Sequence, residues 1–285
     1  MFAYSVAWKG GLKSRWYRRF TIYETIIKMT SKKQFYLTFL RIRIYYVGEK
    51  EGDRMASYAN VVETSIQKYQ PNRLIVANEL YKTIDQKMLE QTFYKSLERM
   101  TKSGKLVHLT KGVYYRPKKS RVGNIPISDE EISAHYLQAG HGVIVGYRMY
   151  NKKRLTTQIG KQVEILSNAL HEEKKNIQNV SVRKISVELN TETVPIIETL
   201  EILQDYRRIE DMNIAAMAAY LKRFAELYSD ETADQVLERV KYKKSTIAFM
   251  EAILNHLGIR NTLGKYLSSM SDYKIPSLEL LYEFA

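Results

Sequence analysis

Gln91, Lys95, Arg99 and Lys102 recur at spacings of four, four and three residues, so on a helix all four project from one side. Their shared chemistry is recognition of nucleic acid. Arginine and lysine donate to the O6 and N7 edge of guanine, and glutamine pairs with adenine. Thr92 adds a hydroxyl beside this row, and Lys111, Arg116, Lys118 and Lys119 follow in the next turns of sequence as the residue types that hold phosphate oxygens. Such a division of labour needs one element against base edges and another against the backbone.

The stretch LEQTFYKSLERMTKSGKLVHLTKGVYYRP, residues 89–117, supplies both. Leu89, Phe93, Leu97 and Met100 form an apolar stripe at helical spacing, Asp85 is placed to cap the helix from about Lys87, and Gly104 ends it. Lys105–Leu109 and Val113–Arg116 then read as two short strands around Lys111-Gly112, where glycine is free to adopt the positive φ of a tight turn. Upstream, Tyr58–Tyr69 reads as a helix with Val61, Val62, Ser65, Ile66 and Tyr69 near one face, and Leu74–Ile84 as a short strand leading into a short helix. The order predicts a winged helix-turn-helix over residues 55–122, with its second helix in the major groove of double-stranded DNA. A winged helix used only for docking protein is the alternative.

Charge supports the first reading. Of the formal net charge of +14, residues 1–54 hold 12 Lys and Arg against 4 Asp and Glu, and residues 86–121 hold 10 against 2. The remainder is close to neutral, so the excess lies in two blocks, one of them on the elements expected to touch DNA. The absence of cysteine removes disulfides and thiolate metal sites and suits a reducing cytoplasm. The longest apolar run, Phe35–Val47, is too short to span a membrane and contains Arg41 and Arg43. Met55 stands just ahead of the first helix of the unit, so the native start is expected there and residues 1–54 are read as a basic tail or upstream translation. A basic arm reaching along DNA is the rival.

Beyond the wing, Ser128 with Glu131 forms a capping box for a helix to Gln138, and His141–Val145, Val163–Leu166 and Val180–Leu189 read as strands. These give a small α/β domain over residues 123–209. From Thr193 the period turns helical: Ile196, Ile197, Leu200 and Leu203 mark one helix, and Met217, Leu221, Phe224, Met250 and Leu254 lie on later apolar faces read as core. The expected class is α+β, with a helical C-terminal region over 210–285.

No catalytic constellation emerges. The five histidines lack metal-ligand spacing, no phosphate-binding loop, dinucleotide fingerprint or nucleophile elbow occurs, and Glu172-Glu173 beside Lys174-Lys175 reads as a solvated loop or helix face. No cofactor, metal site or enzymatic activity is expected from these residues, although a nucleic-acid-processing enzyme using the winged helix for targeting remains the second function class.

The segment KSLERMTKSGKLVHLTKGVYYRPK, from Lys95 to Lys118, resembles the N-terminal winged helix of the AbiEi-type antitoxins. GYRMYNKKRLTTQIGKQVEILSN, Gly146 to Asn168, is similar to the segment that comes after the wing in that family. The resemblance spans about residues 56–209. It implies an autorepressor that binds operator DNA and counters a nucleotidyltransferase-like toxin, with which it need not form a stable complex, in a type IV toxin–antitoxin system of phage defence. Two departures stand out: Thr110-Lys111 occupies wing positions where arginine is frequent, and residues 1–54 have no counterpart.

Overall fold

The computed structural model describes residues 51–84 and 88–278, with side chains from Tyr58 onward. Residues 1–50, nearly all of the stretch read as a basic tail, lie outside the described residues, as does Asp85. The chain divides between Tyr58 and Ala59, and the unit from Ala59 onward carries the sheets and hydrophobic cores.

The first elements are α1 (Glu51–Gln67), β1 (Leu74–Val76), α2 (Ala77–Thr83), α3 (Glu90–Lys102), β2 (Val107–Thr110) and β3 (Val113–Tyr115). The three strands form an antiparallel sheet in the order β1-β3-β2. α3 buries Phe93, Ser96, Leu97 and Met100. It ends as a glycine-terminated helix should: Gly104 takes φ of 71°, its N–H donates to the Thr101 carbonyl, and the Lys105 N–H donates to that of Met100. The helix starts later than its sequence suggests. Glu90 is its first residue and Leu89, with no side-chain cap bond, stands at the N-cap, later in the chain than the cap position expected from the sequence. Leu89 is 63% exposed, and Met88 is buried instead. The Tyr81 hydroxyl donates to the Met88 carbonyl at 2.7 Å, tying the end of α2 to the entry of α3, and the Tyr81 and Phe93 rings meet at 5.1 Å. On α1, Val62 and Ile66 are buried, whereas Val61, expected on the same face, is exposed.

A second hairpin, β4 (Lys118–Ser120) and β5 (Gly123–Ile125), comes directly after; the boundary expected at 122/123 falls in its turn. α4 (Asp129–Leu137) begins with the expected capping box, the Glu131 N–H donating to Ser128 Oγ and the Ser128 N–H to Glu131 Oε2. Strands β6 (Gly142–Val145), β7 (Val163–Ser167), β8 (Lys174–Ile177) and β9 (Val180–Lys184) form a sheet ordered β6-β7-β9-β8, parallel only between β7 and β9, with α5 (Tyr147–Lys152) between β6 and β7. Two expectations change here. Lys174-Lys175 opens the edge strand β8, where Ile177 provides the buried anchor, and β9 ends at Lys184 instead of continuing to Leu189. Helices α6 (Thr193–Asp205), α7 (Ile214–Leu227), α8 (Asp230–Leu237) and α9 (Lys244–His256) complete an α+β chain. Among the described residues no helix is long and apolar enough to cross a membrane.

Two cores hold these layers. Leu74, Val113 and Tyr115 of the first sheet share one core with Ile132 and Tyr136 of α4 and with Val163, Ile165 and Val182 of the second sheet. On the other side of that second sheet, Val145 and Leu166 join Met217, Phe224 and Met250 of the C-terminal helices, the methionine and aromatic positions read as core. A buried carboxylate, Glu201 of α6, is paired there with the partly exposed Arg183 of β9 at 2.5 Å, and removing Arg183 takes away the cation that compensates the buried charge.

Phe93→Ala is expected to destabilise the unit by about 3–5 kcal/mol, measured by denaturant unfolding, because its side chain is fully buried. A pH effect arises from His135 of α4, which lies 3.8 Å from Glu79 of α2. Burial lowers its pKa, an effect only partly opposed by the Glu79 carboxylate. The unfolded chain therefore takes up a proton first as pH falls below about 6.5, and stability is present above that value and is lost below it until the folded pKa is reached. His135→Gln should flatten this segment of the stability–pH profile.

Candidate nucleic-acid interface

The exposed side of α3 presents Gln91, Lys95, Arg99 and Lys102, opposite the buried row. Thr92 is half-buried at the margin of this face, and its carbonyl accepts a bond from Ser96 Oγ at 2.9 Å. Lys102 is engaged with Glu98 at 2.6 Å, and that hydrogen bond holds the Glu98 carboxyl below the usual carboxylate range. The pair is exposed, and such pairs contribute little to stability. Lys95 and Arg99 form no ion pair with any described residue, so their donors face solvent unpaired. Tyr114 of β3 is half-buried near Tyr94 and Glu98, which brings the sheet up behind α3; burial first, then these two neighbours, raise its pKa.

The β2–β3 tip carries Lys111, exposed, beside Gly112, whose φ is 72°. The Gly112 carbonyl accepts from the Ala77 N–H at 2.8 Å, so the tip is fastened to the first residue of α2. The remaining cations separate. Arg116 turns into the fold: its Nη1 donates to the carbonyls of Gln67 at 2.8 Å and Tyr69 at 2.6 Å, satisfying the open end of α1. Lys118 and Lys119 lie on β4, exposed, on the second hairpin. The residues singled out in sequence thus occupy three presenting surfaces, with Arg116 bracing the body between them.

Asn72 holds the second hairpin in place. It is 5% exposed and takes φ of 58°, a conformation asparagine tolerates better than most residues. Its N–H donates to the Arg116 carbonyl at 2.8 Å, its Oδ1 accepts from the Lys118 N–H at 3.0 Å, and its Nδ2 reaches the Pro126 carbonyl at 3.5 Å. One side chain therefore grips both strands at their base. Neither Asn72 nor the ribbon it clamps, with Arg121 and Val122 at the turn, was legible in the pattern of the sequence; the only signal is that Pro117 and Pro126 bracket it and Gly123 sits near its turn.

Elsewhere, an open cavity of about 450 Å³ is lined by Asn151, Arg154, Thr156, Thr157, Asp211 and Asn213. Its polar groups mostly bond one another or nearby backbone: Thr156 Oγ1 donates to the Glu210 carbonyl and Gln158 Nε2 to Asp211, joining two turns. Among the described residues, His, Asp and Glu side chains do not gather in threes as a metal site would require.

No family model matches the chain, and no curated protein matches it. Among solved structures it is similar to the RV2827C protein from Mycobacterium tuberculosis, with a TM-score of 0.37 and 12% identity, over 72% of this chain and 78% of that one.

Proposed function

We propose that α1 to β3 is a winged helix-turn-helix that binds double-stranded operator DNA, and that the chain is a transcriptional autorepressor serving as the antitoxin against a nucleotidyltransferase-like toxin. The element order and the β1-β3-β2 sheet support the first part; on this reading α3 is the second helix of the pair and β2–β3 the wing. The observation that supports the DNA reading is the solvent-facing side of α3, where Lys95 and Arg99 form no ion pair with a described residue and the one acid beside them, Glu98, is bonded to Lys102. The antitoxin role rests on the sequence resemblance at Lys95–Lys118 and Gly146–Asn168.

On this reading Arg99 contacts base edges and Lys111 contacts phosphate. Titrations of the full chain on a duplex from upstream of its own gene, and on a scrambled duplex, separate the two. Arg99→Ala is expected to cost about 1–3 kcal/mol on the specific duplex and to flatten discrimination between the two. Lys111→Ala is expected to weaken both alike and to reduce the salt slope by about one unit. Unchanged affinity and selectivity in Arg99→Ala would remove α3 as the reading helix.

The antitoxin role is tested separately, again in the full chain because the first sheet shares its core with α4 and β7. The reading requires a nucleotidyltransferase-like gene beside its own; co-expression with that gene should restore growth, and Arg99→Ala should still restore it while derepressing the promoter. Loss of both effects together would show that neutralisation runs through the DNA-binding surface. Growth arrest persisting with the wild-type chain would reject the antitoxin role.

A further inference from the structure

The β4–β5 ribbon has no part in either core. All six of its strand residues are exposed, and Val122 at its turn is 99% exposed. Two-stranded ribbons are marginal on their own, yet this one is shaped at both ends. Asn72 clamps its base, and at the turn Ser120 Oγ donates to the Gly123 carbonyl and accepts from the Val122 N–H. A fixed, fully exposed hairpin that stabilises nothing beneath it is suited to contact something outside the chain.

Its chemistry specifies what. From Lys111 to Ser128 there is no acidic residue, and the ribbon carries Lys118, Lys119 and Arg121, none of them in an ion pair with a described residue. An arginine beside an outward valine combines a cation with an apolar tip. The minor groove suits this pair: where it is narrow its enhanced negative potential attracts arginine, and apolar side chains wedge between base steps. Reach is adequate. Gly112 and Arg121 are nine residues apart, so the wing tip and the ribbon tip are separated by about 32 Å at most, less than one turn of the duplex.

We propose that the β4–β5 ribbon is a second DNA-binding arm, distinct from the wing, that enters the minor groove next to the segment contacted by α3, with Arg121 in the groove and Val122 against a base step. The inference rests on the DNA reading above. It is tested with the full chain on a fluorescent duplex from upstream of its own gene, at several salt concentrations. Arg121→Ala is expected to weaken binding about tenfold and to lower the salt slope by about one unit. Val122→Ala should weaken binding without changing the slope, since it removes no charge. Netropsin, which fills the minor groove, should compete with the wild-type chain and much less with Arg121→Ala. Both side chains are exposed, so circular dichroism should show an unaltered fold. If Arg121→Ala matches the wild type in affinity and slope while Arg99→Ala loses binding, the arm is overturned and the DNA reading stands. An Arg121→Ala chain that binds DNA normally but no longer neutralises the toxin would make the ribbon a protein contact and equally overturn the proposal. Absence of duplex binding by the wild-type chain would remove the DNA reading and the arm with it.

Discussion

Val113 and Tyr115 of β3 are buried against α4 and the four-stranded sheet, while Tyr114 between them turns to the α3 side. Burying such side chains is worth about 1.5–3 kcal/mol each, and here a strand of three residues does it on both faces. The first sheet is thus neither the floor of an isolated module nor a linker. It is the shared wall between the basic elements and the α/β layer, and the orientation of α3 is referred to that layer through it. The contacts of β1 with α4 and of β2 with β8 extend the same wall.

Within this frame the positive charge is sorted by position. Arg116 is committed to closing α1, Lys105 to Glu63 at 2.5 Å, and Lys153 to Glu198 at 2.7 Å. Each of these links two segments of the fold. Lys95, Arg99, Lys111 and Arg121 lie on surfaces that meet nothing in the unit. A basic composition alone cannot distinguish these uses, because screening makes exposed charges nearly interchangeable; hydrogen-bond geometry does.

Elements with one buried face were legible in the sequence, and elements without one were not. The stripe of Phe93, Leu97 and Met100 located α3, the serine–glutamate pair located α4, and the strand-like run Val163–Leu166 located β7. Leu89 misled because an apolar residue at helical spacing was counted as core although it precedes the helix and faces solvent. The β4–β5 ribbon left no periodic trace since both of its faces are wet, and β8 left almost none, with Ile177 its one buried residue. The candidate surface was legible to the same degree: residue types and the helical row could be read, but Arg116's turn inward depends on carbonyls 47 and 49 positions away. The shared core was invisible for the same reason, since period-2 patterning tells which residues are inside and not which element covers them.

Asn72 fixes the ribbon through main-chain groups at its base, Lys118 at the start of β4 and Pro126 just after β5, and its side chain makes no hydrogen bond nearer the tip among the described residues. The body is therefore insensitive to how many residues lie between those two points. Lengthening such a loop costs little, growing only with the logarithm of its length. The segment between Lys118 and Pro126 can accordingly be extended, shortened or exchanged during descent while the clamp and the sheet beneath it keep their geometry, which makes it an independent dial for adapting one scaffold to different targets.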